Sequence, residues 1–419
     1  MAEEIRSDKR ITFSGWVYKA FHAHLPGFEG FREGSQNMPL LQSVILKYLT
    51  QSLDTVILPL AEETSLAVTD LLPGDKELHA VPLHSVVTKL ISRTSSRVFL
   101  GQELCRDESW LAAIQQYTAV ANAAAMDLRL WPESVRFIVH WFLPSCKRTR
   151  ALVRTVQRHV TTVIQKRQRL RDSKQKGEAG ENTEFNDVVE WLDKAASGSP
   201  YNPVSAQLVL SVVGIHTTSD LLCQTLIDLA QHPDMVQALR QEMVEVLRDD
   251  GWQKTSLHKL KLMDSVIKES QRLKPTSIVS MKRQAHNDLK LSDGTVITKN
   301  GLLGVSSHKM WDSTVYKEPH KWNGYRFYNM RQLPNKESSA QLVTTSPEHM
   351  GFGYGKHACP GRFFAANEIK IALVYLLLRY DWSLPEDVHP SIKYFGFALA
   401  TDSSLKIRLR RREEELKLV

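Results

Sequence analysis

The chain has 419 residues, 42% of them hydrophobic, which is enough to bury a large core and unlike the composition of a disordered, collagenous or repeat protein. Its 54 Lys and Arg against 46 Asp and Glu give a formal net charge of +8, a balance that suits an acidic protein partner; no basic groove interleaved with aromatics favours nucleic acid. No run approaches the roughly 20 consecutive apolar residues of a membrane-spanning helix, and the charged start Met1-Ala2-Glu3-Glu4-Ile5-Arg6 lacks the apolar stretch of a secretory signal.

Helical spacing of apolar residues dominates the chain. It predicts helices over 38–67, 84–100, 110–130, 152–170, 187–196, 204–230, 234–247, 257–273 and 365–380. Strand-like runs are short and late: 280–285, then 289–291 and 296–298 around the turn sequence Ser292-Asp293-Gly294, with a further hairpin suggested by Thr401-Asp402-Ser403 ahead of 405–407. The basic run 166–176, leading into Gly177, reads as a solvated helix end and loop. The expected class is mainly α with small β-sheets (α+β).

Of four cysteines, Cys105, Cys146 and Cys223 form no C-x-x-C pair and read as reduced core residues. Cys359 differs. It sits in Phe352-Gly353-Tyr354-Gly355-Lys356-His357-Ala358-Cys359-Pro360-Gly361, ahead of an apolar helical run. Gly353, Gly355 and Gly361 can take angles closed to other residues and let the chain lie against a flat group. Pro360 and Gly361 read as the helix opening, whose unpaired N–H groups favour a thiolate. Taken alone, the alternative is a structural cysteine in a glycine-rich turn.

Phe352, Gly355, Cys359 and Gly361 fit F-x-x-G-x-x-x-C-x-G, and the segment thereby resembles the haem-ligand signature of the cytochrome P450 superfamily. The resemblance implies the cytochrome P450 fold as a single catalytic domain over 1–419. It also implies haem b ligated by Cys359, with Phe352, Gly353 and Gly361 in the cradle and His357, Arg283 and Lys47 toward the propionates. Glu269 and Arg272, three apart on one helix, would brace that core with Arg326. The stretch Gly214-Ile215-His216-Thr217-Thr218 resembles the oxygen-activating motif, with His216 where an acid is usual. Thr217 would serve proton delivery, and His216 either joins that relay or is a core histidine. Ile278, Val279, Ser280, Val212, Val213 and the loop from Phe28 to Phe31 are substrate-pocket candidates, with ordinary core as the alternative.

Ser96-Arg97-Val98-Phe99-Leu100-Gly101, Lys268-Glu269-Ser270-Gln271-Arg272 and His357-Ala358-Cys359-Pro360-Gly361-Arg362-Phe363-Phe364-Ala365 further resemble a filamentous-fungal branch containing ent-kaurene oxidases and indole-diterpene oxygenases. This implies an oxygenase that inserts one atom of O2 into a lipophilic secondary metabolite, terpenoid or similar. Its electrons would come from NADPH through a cytochrome reductase, with cytochrome b5 as a further candidate donor and Lys356 on the docking face. A haem-thiolate isomerase or dehydratase and an impaired haem-binding remnant are the alternatives. Against full members, this chain is expected to lack the anchor, the first helix and the first two strands, leaving a sheet edge unpaired. The expected placement is cytosol-facing, at the endoplasmic reticulum membrane for full-length relatives, with no transmembrane segment in this chain.

Overall fold

Apolar spacing at helical period carries most of the chain into helices, and the strands are short. The computed structural model describes residues 2–176 and 184–418. These fall into two compact units: Met1–Phe13 with Ser52–Ile91 and Thr217–Val419, and Ser14–Gln51 with Ser92–His216.

The second unit is helical. Helix Glu108–Arg129 begins where the Asp107 carboxylate accepts the Trp110 N–H at 2.8 Å, satisfying one of the orphan donors of a helix start. It packs along Pro144–Gln175. Trp110 is fully buried and donates its indole N–H to Ser96 Oγ at 3.0 Å, and Tyr117 donates its hydroxyl to Gly27 O at 2.8 Å. The basic run 166–176 is not only a solvated face. Arg167 turns inward, with Asp187 oxygens at 2.9 and 2.6 Å and Glu103 at 3.1 Å; no pattern in a charge run tells which member has partners waiting behind it. Gly177 lies outside the described residues. Phe28 and Phe31, offered above as pocket candidates, are core: both are buried, and Phe31 stacks on Phe21 at 4.1 Å between centroids.

The first unit holds the β structure and the helices around it. Strands β1 (Ile11–Thr12), β2 (His79–Pro82), β3 (Val279–Ala285), β4 (Leu289–Lys290), β5 (Val296–Ile297), β6 (Leu302–Ser306), β7 (Tyr380–Ser383), β8 (Ile392–Phe395), β9 (Ala398–Thr401) and β10 (Lys406–Arg411) form four antiparallel groups. Their orders are β1-β3-β6, β2-β10-β7, β4-β5 and β8-β9. Ile11 faces Ala285 in register, so β1 covers one edge of β3. The β4-β5 hairpin lies where its turn sequence put it. The hairpin suggested after Thr401 does not form: β9 turns back to β8, while β10 pairs with β2 and β7. Helix Arg362–Arg379 is buried almost all round and packs against Leu53–Leu71, where the Arg379 guanidinium donates to Ser65 O at 3.1 Å and Ser65 Oγ at 2.8 Å.

Two predicted helices are broken. The run 38–67 is an α-helix Met38–Ser43, a π-helix Val44–Leu49 and, after a turn, Leu53–Leu71. Thr50 closes the π segment by donating both its N–H and its hydroxyl to Ile45 O at 2.9 and 2.8 Å. The run 257–273 breaks at Leu260, whose ψ of 71° is not helical. Helix Pro203–Ala230 is long and apolar enough to cross a membrane by length and composition, a match that counting uninterrupted apolar residues misses; most of it is buried in the protein.

Candidate active site

The cysteine loop is built from its backbone. Gly353 and Gly355 hold φ of +74° and +76°, angles an L side chain rarely adopts. A Cβ on Gly355 would also fall 2.5 Å from Cβ of Arg6. The bend lets the Cys359 N–H donate to Phe352 O at 2.8 Å and the Ala358 N–H to Gly355 O at 3.0 Å. Gly361 corrects an expectation: its φ of −86° is open to any residue, and it caps a helix that starts at Arg362, so Pro360 precedes the helix instead of opening it.

Cys359 is exposed, yet the density of surrounding protein makes burial the largest influence on its thiol. That combination describes a side chain in a recess. Burial raises the thiol's pKa; the N–H groups of Gly361 and Arg362 and the Arg362 charge pull it back only in part. The helix start therefore favours the anion as expected but does not outweigh burial. Arg362 is held in place by Val343 O at 3.0 Å and Cys359 O at 2.8 Å.

Arg283, on β3, is 3% exposed and has a buried Nε without a hydrogen-bond partner. Its Nη1 donates to Lys282 O at 2.6 Å, its guanidinium lies over the Phe13 ring, and burial lowers its pKa to about 10. No carboxylate among the described residues pairs with it. His357 is half-buried, and burial together with the charges of Arg283 and Lys356 lowers its pKa. Convergent basic groups around an unsatisfied guanidinium nitrogen are suited to a buried anion. A thiol in a recess with an anion-seeking arginine fits the thiolate-ligated haem and its carboxylates. Lys47 belongs to the other unit and is exposed on the π-helix.

Glu269, Arg272 and Arg326 meet. Arg272 donates to both Glu269 oxygens at 2.8 and 2.9 Å, Arg326 Nε to the same pair at 3.0 and 3.1 Å, and the Asn323 N–H adds a contact at 3.1 Å. Glu269 and Arg272 are fully buried. The remaining guanidinium donors reach carbonyls of Met310 and Pro319 from Arg272, and of Lys317, Glu318 and Lys321 from Arg326. One carboxylate thus ties a helix to the loop 310–326.

Within helix Pro203–Ala230 only Val213 and Thr217 are exposed, one turn apart, with half-buried Gly214 beside them. The only open face of this buried helix therefore presents Thr217. A Cβ at Gly214 would meet Phe99 ring atoms at 3.5 Å, ordinary contact, so no neighbouring side chain demands a glycine. His216 is half-buried; Val212 is buried.

Motif reading missed Asp220. Its Oδ1 accepts the Thr401 N–H at 2.9 Å and hydroxyl at 3.0 Å, and its Oδ2 pairs with the buried Lys274 ammonium. An acid on an apolar helix was the available signal. Also missed was the β8-β9 hairpin, with exposed Tyr394, Phe395 and Phe397. Its run lacks the apolar alternation that marks a half-buried strand.

A mainly helical fold with small antiparallel sheets places one recessed cysteine before a buried helix, a setting suited to offering a thiolate to a metal. The chain belongs to the cytochrome P450 family, whose profile matches residues 36–407, and it is a P450 monooxygenase. It is 45% identical over 418 residues to cytochrome P450 monooxygenase 1 of Gibberella fujikuroi, covering 99% of this chain and 94% of that one. Cytochrome P450 monooxygenase TRI1 of Fusarium sporotrichioides is 43% identical over 98% of this chain and 75% of its own length, and hepE of Aspergillus oryzae 43% over 99% and 76%. Among solved structures, the cytochrome P450DA haem domain superposes with a TM-score of 0.73 at 17% identity, over 98% of this chain and 86% of that one. The family implies a haem-thiolate cofactor, a reductase partner and a small-molecule substrate.

Proposed function

We propose that the protein hydroxylates or epoxidises a lipophilic secondary metabolite of terpenoid type. One atom of O2 enters the substrate, and the other leaves as water with two electrons from NADPH, relayed by a reductase, and two protons. The observation that carries this reading is the recessed Cys359 sulfur at a helix start with the unsatisfied Arg283 guanidinium in the same unit.

In this reading Cys359 would supply a thiolate ligand to haem iron, Arg283 and His357 would hold the haem carboxylates, and the Phe352–Gly353 turn keeps the sulfur's backbone in place. Haem, when bound, would supply the oxygen activation. Thr217, on the open face of its helix, passes protons inward, and His216 beside it is the second member of that relay. Glu269, Arg272 and Arg326 keep the cradle in shape. The exposed aromatic residues of the β8-β9 hairpin offer an apolar surface for the substrate. The relatives, named as fungal P450 monooxygenases, support the assignment to fungal small-molecule oxidation.

The reduced carbon-monoxide difference spectrum tests the site. The wild type is expected to give the far-red Soret band of a thiolate-ligated haem and Cys359→Ser to lose it; an unchanged band in the variant would refute the ligand assignment. NADPH-independent turnover of an identified substrate would refute the oxygenase reading. Gly214→Ala separates fold from chemistry. With space for the methyl, the helix gains about 0.5–1 kcal/mol from the lost backbone freedom. Product formed per NADPH should nonetheless fall several-fold, because the methyl enters the open face beside Thr217. Unchanged coupling would remove Gly214 from the oxygen site.

A further inference from the structure

Asp220 lies three residues beyond Thr217 on the same helix, so their side chains project to neighbouring positions one turn apart. It is 13% exposed, and its partners come from two other elements: Lys274, immediately after helix Lys261–Leu273, and Thr401, the last residue of β9. The carboxylate meets three donors, two from one residue's N–H and hydroxyl and one from an ammonium that is itself buried. A neutral residue of the same shape could not balance that ammonium.

Thr401 is the base of the β8-β9 hairpin, where it faces Ile392, and the far end pairs Phe395 with Ala398 around Gly396. A second set of bonds holds the same strand lower down: Ile278 N–H to Phe397 O at 2.9 Å, Leu399 N–H to Thr276 O at 3.1 Å and the Ser277 hydroxyl to Phe397 O at 2.8 Å. The hairpin is therefore tied along one strand, whereas its outer residues Tyr394, Phe395 and Phe397 are 65, 66 and 60% exposed. Tyr394 and Phe395 are successive on β8 and project to opposite faces, so large rings stand open on both sides of the hairpin, with Phe397 in its turn.

We propose that Asp220 is a positioning residue for substrate selection: with Lys274 and Thr401 it latches the aromatic hairpin to the helix that carries Thr217. A bulky apolar molecule resting on the rings is then held at a fixed offset from the proton-delivering turn. The inference rests on the haem-monooxygenase reading for its ligand, but the latch itself does not depend on that reading.

The test compares wild type with Asp220→Asn and Thr401→Val in two measurements. Spectral titration uses imidazole, which needs only the iron, and clotrimazole, a bulky triaryl imidazole. Expected in Asp220→Asn is an imidazole Kd within twofold of wild type and a clotrimazole Kd at least tenfold weaker, with Thr401→Val about threefold weaker. Hydrogen exchange of peptides spanning 392–401 should speed up at least tenfold in Asp220→Asn, while peptides of the 362–379 helix keep their rates. Equal loss of both azoles, or wild-type exchange in the hairpin, overturns the proposal. If Asp220→Asn does not fold, the paired replacement Asp220→Leu with Lys274→Met, which leaves no charge unbalanced, takes its place with the same expectations. Absence of any Soret shift with imidazole in the wild type would sink the haem reading instead, and the exchange result would still decide the latch.

Discussion

Glu269→Ala is expected to yield a protein that takes up almost no haem and unfolds several kcal/mol more readily. Glu269 is fully buried and, among the described residues, is the only carboxylate contacted by the two arginines, receiving Nε and Nη2 of Arg272, Nε of Arg326 and the N–H of Asn323. Its removal leaves the fully buried Arg272 charge with carbonyls alone. Breaking such a buried set by deleting one partner costs about 3–5 kcal/mol, most of it the uncompensated charge. The segment 310–326, which has no strand pairing of its own, loses part of its anchorage, because five of its carbonyls are bound to these same guanidinium groups, while Ser265 and Ser270 still hold Gly324 and Trp322. Arg272→Ala should behave alike from the other side, stranding the acid. Glu269→Gln keeps the shape and one acceptor oxygen and should fall between. The measurements are the haem-to-protein ratio after purification and the urea midpoint; wild-type values in Glu269→Ala would show that the triad braces nothing.

This triad was legible from the sequence because two members sit three apart on a strongly patterned helix and the third follows at a spacing the family resemblance supplied. Cys359 was legible for the same reason: its loop chemistry is local. Other features depend on contacts far apart in the chain, about which period and propensity say nothing. The break at Leu260 and the π segment before Thr50 lie inside apolar patterns that continue across them. Asp220 finds Thr401 at 181 residues' separation, and Arg167 pairs with Asp187 at 20. Gly361 misled because a glycine beside a functional cysteine invites a conformational reading, whereas its angles are ordinary. The cysteine's ionisation could not be read either, since the rise caused by burial outweighs the helix start, and only coordinates give the density around sulfur.

Asp228 is expected to be a stability defect at neutral pH. It lies two turns beyond Asp220 on the same helix, 7% exposed, with Gln224 Nε2 donating to Oδ1 at 2.8 Å. Burial raises its pKa to about 6; Ser270, which draws the carboxyl down without reaching hydrogen-bond geometry on Oδ2, then Gln224 and His232 offset only part, and Glu269 adds repulsion. The folded state therefore binds this proton more tightly than the unfolded chain does. Its stabilising effect is full below the unfolded value of 3.8, fades as pH rises through about 6 and is gone above 7. A shift of that size corresponds to about 3 kcal/mol at most. Asp228→Asn, which cannot ionise, should raise the urea midpoint at pH 8 by the equivalent of about 2 kcal/mol and at pH 5 by roughly half as much, because the wild-type carboxyl in the folded state is then mostly protonated. The same substitution removes the repulsion on Glu269, so haem retention during unfolding should follow the midpoint upward. A gain that is equal at both pH values would mean that packing, not the proton, sets the difference, and a loss at pH 8 would mean that the charge at Asp228 is compensated in the fold.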